Sequence, residues 1–253
     1  MAKNKRLIRI RAGRQEKILL YVQSMASDDA KTREAKAKVS TPARQRINAR
    51  TSREACEDLM AANFDRGDLF VTLTYREAPP TRDYANRQLA AFFRLLRAAR
   101  AARGQRLLYI KCTEHIRDDG SEGRWHHHVV LNGTGSDYEE IRSLWAAWGD
   151  NVDFEDLLGG ETYESRARYM CKEKPPVGKQ TWTPSRGLKR PVKTSEMVED
   201  TLTITPSSLP AGAVILEHSE DQNEWGSFVY FKYLLPYRER RPDPRRRRGD
   251  GGN

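Results

Sequence analysis

Four of the five histidines, His115, His126, His127 and His128, fall within fourteen positions. The last three lie in the stretch Trp125 to Asn132, which reads as a strand. Side chains alternate across a strand, so His126 and His128 share one face while His127 points to the other. Trp125, Val129 and Leu131 share the face of His127, and that face is expected to pack inward. Two imidazoles at positions i and i+2 can converge on one cation. A third ligand must come from a neighbouring element. The preceding strand ends Cys112-Thr113-Glu114-His115, and a hairpin brings it beside the histidines. Glu114 and His115 point to opposite faces, so only one of them reaches the ion. Glu114 would add a hard oxygen suited to Mg²⁺ or Mn²⁺, with positions left open for phosphate oxygens. A His/His/Glu set can also hold catalytic zinc, although the chain has no HExxH pattern.

A second group is Tyr169 and Lys172. On a helix, positions i and i+3 share a face. A tyrosine with a pKa near 10 is a poor nucleophile at neutral pH. A neighbouring ammonium favours the phenolate or steadies a phosphate under attack. Arg166 and Arg168 add positive potential, and Arg124 directly precedes the histidine strand. Further on, Lys174, Arg186, Lys189 and Arg190 are interleaved with Trp182. Cations with an aromatic ring suit a single nucleic-acid strand, through phosphate pairing and base stacking together. Each group has a plainer reading when taken alone, as a packed histidine, a half-buried tyrosine or a solvated loop.

The elements that must hold these residues follow from the hydrophobic pattern. Leu69 to Tyr75 is β-branched and aromatic and reads as a buried strand. Thr81 or Asp83 can cap a helix running through Tyr84 to about Arg103, closed by Gly104. Leu89, Phe92, Phe93 and Leu96 form its apolar stripe, and Arg94, Arg97, Arg100 and Arg103 are expected on its solvated side. Leu107 to His115 and Trp125 to Asn132 read as two strands joined by the turn-forming run from Arg117 to Gly123. Helical spacing recurs over residues 137–149, and a weaker helix is expected over 161–173. Residues 174–200 lack a period and read as a surface loop. Two further strands are expected at 213–217 and 227–233. The piece Leu7 to Arg11 reads as a strand or an arm on nucleic acid, and residues 28–63 as one or two peripheral helices. This order predicts an α+β fold with an antiparallel sheet of about five strands and flanking helices.

The chain has 253 residues and a formal net charge of +10, which favours a polyanionic partner, nucleic acid before membrane. Its three cysteines, Cys56, Cys112 and Cys171, form no CxxC pair, so neither a disulfide framework nor a zinc ribbon is expected. No GxxxxGK[ST] loop is present, so no NTPase is expected. The basic N-terminus lacks the apolar run of a signal peptide, and no run of about 18 apolar residues suggests a membrane span.

Phe70 to Tyr75, Glu114, the run Gly123 to His128, and Tyr169 to Lys172 occur in that order. This set resembles the HUH endonuclease superfamily, in particular the single-tyrosine replication initiators of small phages and plasmids. The resemblance covers roughly residues 63–237. It implies His126, His128 and Glu114 as ligands of a divalent metal, Mg²⁺ or Mn²⁺, with Tyr169 as nucleophile and Lys172 supporting it. Arg124, Arg166, Arg168, Lys174, Arg186, Lys189 and Arg190 are then the expected DNA-binding residues. The implied organisation is a basic, mostly helical extension (1–66), an endonuclease domain (67–237) and an Arg-rich disordered tail (238–253). The implied activity is nicking of single-stranded DNA at a replication origin in a bacterial cytoplasm, with a host helicase and polymerase as separate partners. The middle residue of the histidine motif is usually bulky and apolar in that superfamily, whereas here it is His127. A relaxase or transposase of the same superfamily is the nearest alternative activity. A basic nucleic-acid-binding protein with a structural metal is the alternative from another class.

Overall fold

A computed structural model describes residues 4–22, 42–116, 121–158, 162–173, 180–223 and 226–236. Expectations that fall on residues 23–41, on the turn at 117–120, on Lys174 and on the tail from 238 lie outside those residues. The fold is α+β, as expected, with two five-stranded antiparallel sheets and four helices. The chain divides into two compact units. One comprises Met1–Ala62 and Arg190–Tyr237, the other Asn63–Lys189 and Arg238–Asn253.

The first unit holds strands β1 (Lys5–Ala12) and β2 (Gln15–Val22) and helix α1 (Pro42–Asn63), which reaches one residue past the unit's boundary. The sheet order is β8-β1-β2-β10-β9, and each neighbouring pair is antiparallel. Here β8 is Val192–Val198, β9 is Val214–Asn223 and β10 is Gly226–Leu234. Leu7, Ile18, Leu20, Val229 and Phe231 form the core on one face. On the other, Lys17 pairs with Asp58 and Lys232 with Glu57, both at 2.7 Å, and all four groups are nearly removed from solvent. Buried charges tolerate removal from water only when paired, so these contacts fix how α1 lies on its sheet. This unit differs from the expected arrangement in two ways. The N-terminal region is not only helical, because Leu7 to Arg11 lies within the hairpin β1–β2. Residues 190–237 join that hairpin and do not close the domain that follows it.

The second unit holds β3 (Leu69–Thr74), α2 (Arg82–Ala102), β4 (Tyr109–Ile116), β5 (Glu122–Leu131) and α3 (Asp137–Trp145). It continues with β6 (Asn151–Asp156), α4 (Glu164–Met170) and β7 (Trp182–Pro184). The sheet order is β6-β3-β5-β4-β7. Alternation divides its two faces. Leu69, Val71, Leu73, Val129 and Leu131 meet Leu89, Phe92, Phe93 and Leu96 of α2 and Ile141 and Trp145 of α3. Thr81 caps α2 by accepting the Tyr84 amide at 3.1 Å, and Gly104 turns the chain away at φ +67°. Gly149 passes so close to β3 that a Cβ there would lie 2.0 Å from the Thr74 carbonyl oxygen.

Three expectations are corrected here. The stretch 174–200 contains strands β7 and β8, which are short or exposed edge strands and therefore carry no hydrophobic period. Asn151–Asp156 is also an edge strand, concealed in the sequence by its four polar and acidic positions out of six. Arg100 does not face solvent. It is fully buried and donates to Asp137 Oδ1 at 2.7 Å and to the backbone oxygen and Oδ1 of Asn132 at 2.9 and 3.0 Å. Asp137 in turn accepts the Thr134 and Gly135 amides, so the pair ties α2 to the start of α3. Breaking it leaves a buried carboxylate without its cation. Arg100→Ala is expected to lower unfolding free energy by about 3–5 kcal/mol in urea denaturation. A loss below about 1 kcal/mol would contradict the structural role given to this pair.

Candidate metal and tyrosine centre

The site lies on the sheet face opposite α2. In the β4–β5 register Glu114 stands opposite His126, and Cys112 opposite His128. In the β3–β5 register Thr74 stands opposite His126, and Thr72 opposite His128. Adjacent strands therefore project Glu114, His126 and His128 into one space, and one ligand atom from each lies within 4.8 Å of the others. Glu114 Oε2 is 3.6 Å from Nε2 of both histidines. Glu114 and His128 are almost fully buried, while His126 is partly open.

The tautomers of the two rings are set from behind. His126 Nδ1 donates to the Arg124 carbonyl at 2.8 Å, which leaves Nε2 turned toward Glu114. His128 Nδ1 lies 3.0 Å from Thr72 Oγ1, and its Nε2 likewise faces Glu114. Such outer partners are how metal-binding imidazoles are ordinarily oriented. Among the described residues, neither Glu114 Oε2 nor His128 Nε2 makes a hydrogen bond, although both are buried. Two buried ligand atoms without a hydrogen bond, beside a third ligand atom, fit a divalent cation. The donor set of two imidazoles and a carboxylate leaves its identity open among Mg²⁺, Mn²⁺ and Zn²⁺.

Electrostatics agree with this arrangement. Burial pushes the Glu114 carboxyl up, but His126, His128 and Lys172 outweigh burial and hold its pKa at about 2. Burial pushes His126 down, yet Glu114 and the Arg124 carbonyl raise it above its ordinary value. His128 is lowered, because its burial outweighs the attraction of Glu114.

His127 faces the core, as alternation requires. It is fully buried, with Tyr75 Oη 2.8 Å from Nε2 and Thr113 Oγ1 2.9 Å from Nδ1. Burial lowers its pKa well below the ordinary value, so it stays neutral. This explains how a histidine occupies a position where a bulky apolar residue is expected. His115 also stands apart from the cluster. Its ring stacks on Trp125 with centroids 4.2 Å apart, and it lies 3.5 Å from Glu173.

Helix α4 covers the cluster. Ala167 and Met170 are its buried residues, and Tyr169 is 41% exposed at the rim. The Tyr169 ring sits edge-on to His128 with centroids 4.6 Å apart. Lys172 Nζ lies 4.2 Å from the centre of the Tyr169 ring and 3.3 Å from Glu114 Oε2. Lys172 thus bridges the tyrosine and the acidic ligand atom. Arg166 lies over Phe70 at 5.2 Å and pairs with Glu155 at 3.1 Å. Arg168 pairs with Glu164 on its own helix. Arg124, Arg186, Lys189 and Arg190 are exposed, and the Lys189 backbone is held on both sides by Asn63.

Two features that the sequence pattern did not single out complete the frame. The β4–β5 register shifts between Glu114 and Ile116. Glu173 Oε2 accepts the amides of His115 and Ile116 at 2.8 and 3.2 Å, and Glu173 Oε1 pairs with Arg82. The residue after Lys172 is thereby fixed to the strand of Glu114. Nothing in the sequence announces the bulge that frees those amides, so Glu173 carries no signal of its own.

Residues 68–174 match a family model for the replication-associated protein ORF2. The matched stretch runs from β3 past α4 and contains Glu114, His126, His128, Tyr169 and Lys172. No curated protein and no solved structure matches the chain. No helix among the described residues is long and apolar enough to cross a membrane.

The pKa directions give a sign for metal binding. Glu114 is ionised across the working range, and His128 is held toward its neutral form. His126 is raised from 6.5, so its proton is the one an ion must displace. Affinity for Mn²⁺ is expected to fall as pH drops through the region just above 6.5. Calorimetry in buffers of different ionisation enthalpy is expected to show proton release there and almost none at pH 8.5. Affinity unchanged between pH 8 and pH 6 would contradict the assignment of His126 as a ligand.

Proposed function

We propose, from the match of residues 68–174 to the replication-associated protein ORF2 family, that this protein initiates rolling-circle replication by nicking single-stranded DNA at an origin. In this reading Glu114, His126 and His128 hold a divalent ion, Mg²⁺ or Mn²⁺. Such an ion supplies Lewis acidity to the scissile phosphate and to the departing 3′ oxygen. The observation that carries the reading is the convergence around Lys172, with the Tyr169 ring on one side and the ligand atom of Glu114 on the other.

Tyr169 Oη is the nucleophile. Its bond to phosphorus forms as the bond from phosphorus to the 3′ oxygen breaks. The phenolic proton leaves to solvent or base, and the 3′ oxygen departs as a hydroxyl after taking up a proton. The products are a 5′-phosphotyrosine and a free 3′-OH that serves as primer. One phosphate ester is exchanged for another, so a later 3′-OH can reverse the step and rejoin the strand without ATP. The Lys172 ammonium favours the phenolate over the phenol and stays close enough to Glu114 to keep the tyrosine turned to the ligand cluster. His128, packed edge-on against Tyr169, limits the ring's freedom, and burial of the cluster strengthens every charge interaction within it.

The exposed cations Arg124, Arg186, Lys189 and Arg190, with Lys174, draw the DNA strand by phosphate contacts, and Arg166 and Arg168 add to that field. Strand opening and extension fall to a separate helicase and polymerase of a bacterial host, in its cytoplasm.

Incubation of the wild-type protein with a labelled single strand from its own replicon and Mn²⁺ is expected to give a covalent adduct that survives denaturation. Tyr169→Phe is expected to give none while still binding the strand with unchanged salt sensitivity. An adduct formed by Tyr169→Phe would refute Tyr169 as the nucleophile. A wild-type protein that binds the strand but neither cuts nor couples would favour a non-catalytic binding role.

A further inference from the structure

The opposite face of the same sheet carries a cavity of about 460 Å³. It lies where the first turn of α2 meets Lys111 to Thr113 of β4 and the chain entering β7. That volume is within the range of about 300–1,000 Å³ typical of small-ligand pockets. Lys111 and Thr113 share the side of β4 that carries Tyr109, which stacks on Phe93 of α2. Cys112, between them, turns its thiol to the other side, 3.8 Å from Glu114 Oε1. The cavity and the metal cluster therefore stand back to back across one strand.

The lining is polar and mixed in sign. Arg82 is already committed to Glu173 and to the Thr113 carbonyl. Lys111 is half-buried and makes no hydrogen bond or ion pair among the described residues. Asp83 lines the same cavity from the exposed start of α2, and Asn86 and Thr183 add an amide and a hydroxyl. A pure phosphate site would not include a carboxylate. A pocket that combines an ammonium, a carboxylate and an amide instead matches a ligand with donors on one edge and acceptors on another. Guanine is such a ligand. Its O6 and N7 accept from a lysine, and its N1–H and N2–H₂ form the adjacent donor pair that a carboxylate accepts. The second edge is available only when the base is unpaired, as in a single strand.

We propose that this cavity receives one unpaired guanine of the substrate strand, flanking the cut, and so helps to set the sequence at which the protein acts. The inference rests on the single-strand nuclease reading above, and deepens it by naming a specificity subsite. Asp83 and Lys111 are specificity residues here and take no part in the chemistry at Tyr169.

Selection of bound oligonucleotides from a pool of random single strands tests this with the full chain. The wild type is expected to enrich guanine at one position. Replacing that guanine by inosine, which lacks the N2 amino group, is expected to weaken binding roughly tenfold. Asp83→Ala is expected to remove the inosine penalty, and Lys111→Met to remove the guanine preference. Arg94→Met, an exposed charge change away from the cavity, is expected to leave both intact. A wild type with no guanine preference, or an inosine penalty undiminished in Asp83→Ala, would overturn the inference. Displacement of the strand by an equal concentration of dGMP would assign the pocket to a free nucleotide and likewise overturn it. Each of these results leaves the nuclease reading untouched, whereas an adduct formed by Tyr169→Phe would remove the assigned nucleophile and leave the guanine result standing.

Discussion

A carboxylate taken out of water must be answered by positive charge or by protonation, because the uncompensated cost is several kcal/mol. Glu114 imposes that condition on the centre of the second unit. Antiparallel pairing places it across from His126 and diagonally from His128, and α4 brings Lys172 to the same oxygen. Burial alone would protonate it. The three basic neighbours keep its pKa at about 2 and so keep an anion in the interior. An anion held this way, with two imidazole nitrogens facing it, is a cation site in electrostatic terms.

The rest of the unit maintains that condition. The α2 face is apolar and packs to full burial, which fixes the sheet and with it the phase of every strand. A slip of one residue in β5 would exchange His127 for its neighbours and destroy both faces at once. The polar partners of His127 and the Arg100–Asp137 pair bring polar groups into that core together with hydrogen-bonding partners. On the other face, Glu173 uses the amides freed by the β4 irregularity to hold the end of α4. Tyr169 and Lys172 therefore meet the cluster through a fixed anchor on the very strand that carries Glu114.

Much of this was legible in the sequence where one physical rule dominates. Strand alternation sorted His126 and His128 from His127, and the apolar stripe of α2 sorted Leu89, Phe92, Phe93 and Leu96 to the core. The antiparallel α+β character followed from the order of elements. What escaped notice was set by tertiary pairing. Arg100 looks like its neighbours Arg97 and Arg103, and only Asp137, distant in sequence, takes it inside. Strands β6, β7 and β8 lie at sheet edges, where polar residues are tolerated and no period survives. The second sheet depends on residues 5–22 pairing with residues 192–234, a contact between distant parts of the chain that local pattern does not encode. Glu173 depends on a backbone irregularity with no residue signature.

The central claim is that Glu114, His126 and His128 form one divalent-metal site beside Tyr169. Anomalous diffraction from crystals soaked in Mn²⁺ measures it most directly. The account predicts one strong peak within coordination distance of Glu114 and of Nε2 of both histidines, lost in a His128→Ala protein that still folds. A peak at His115 and Glu173, or no ordered ion at concentrations that support cutting, would contradict it.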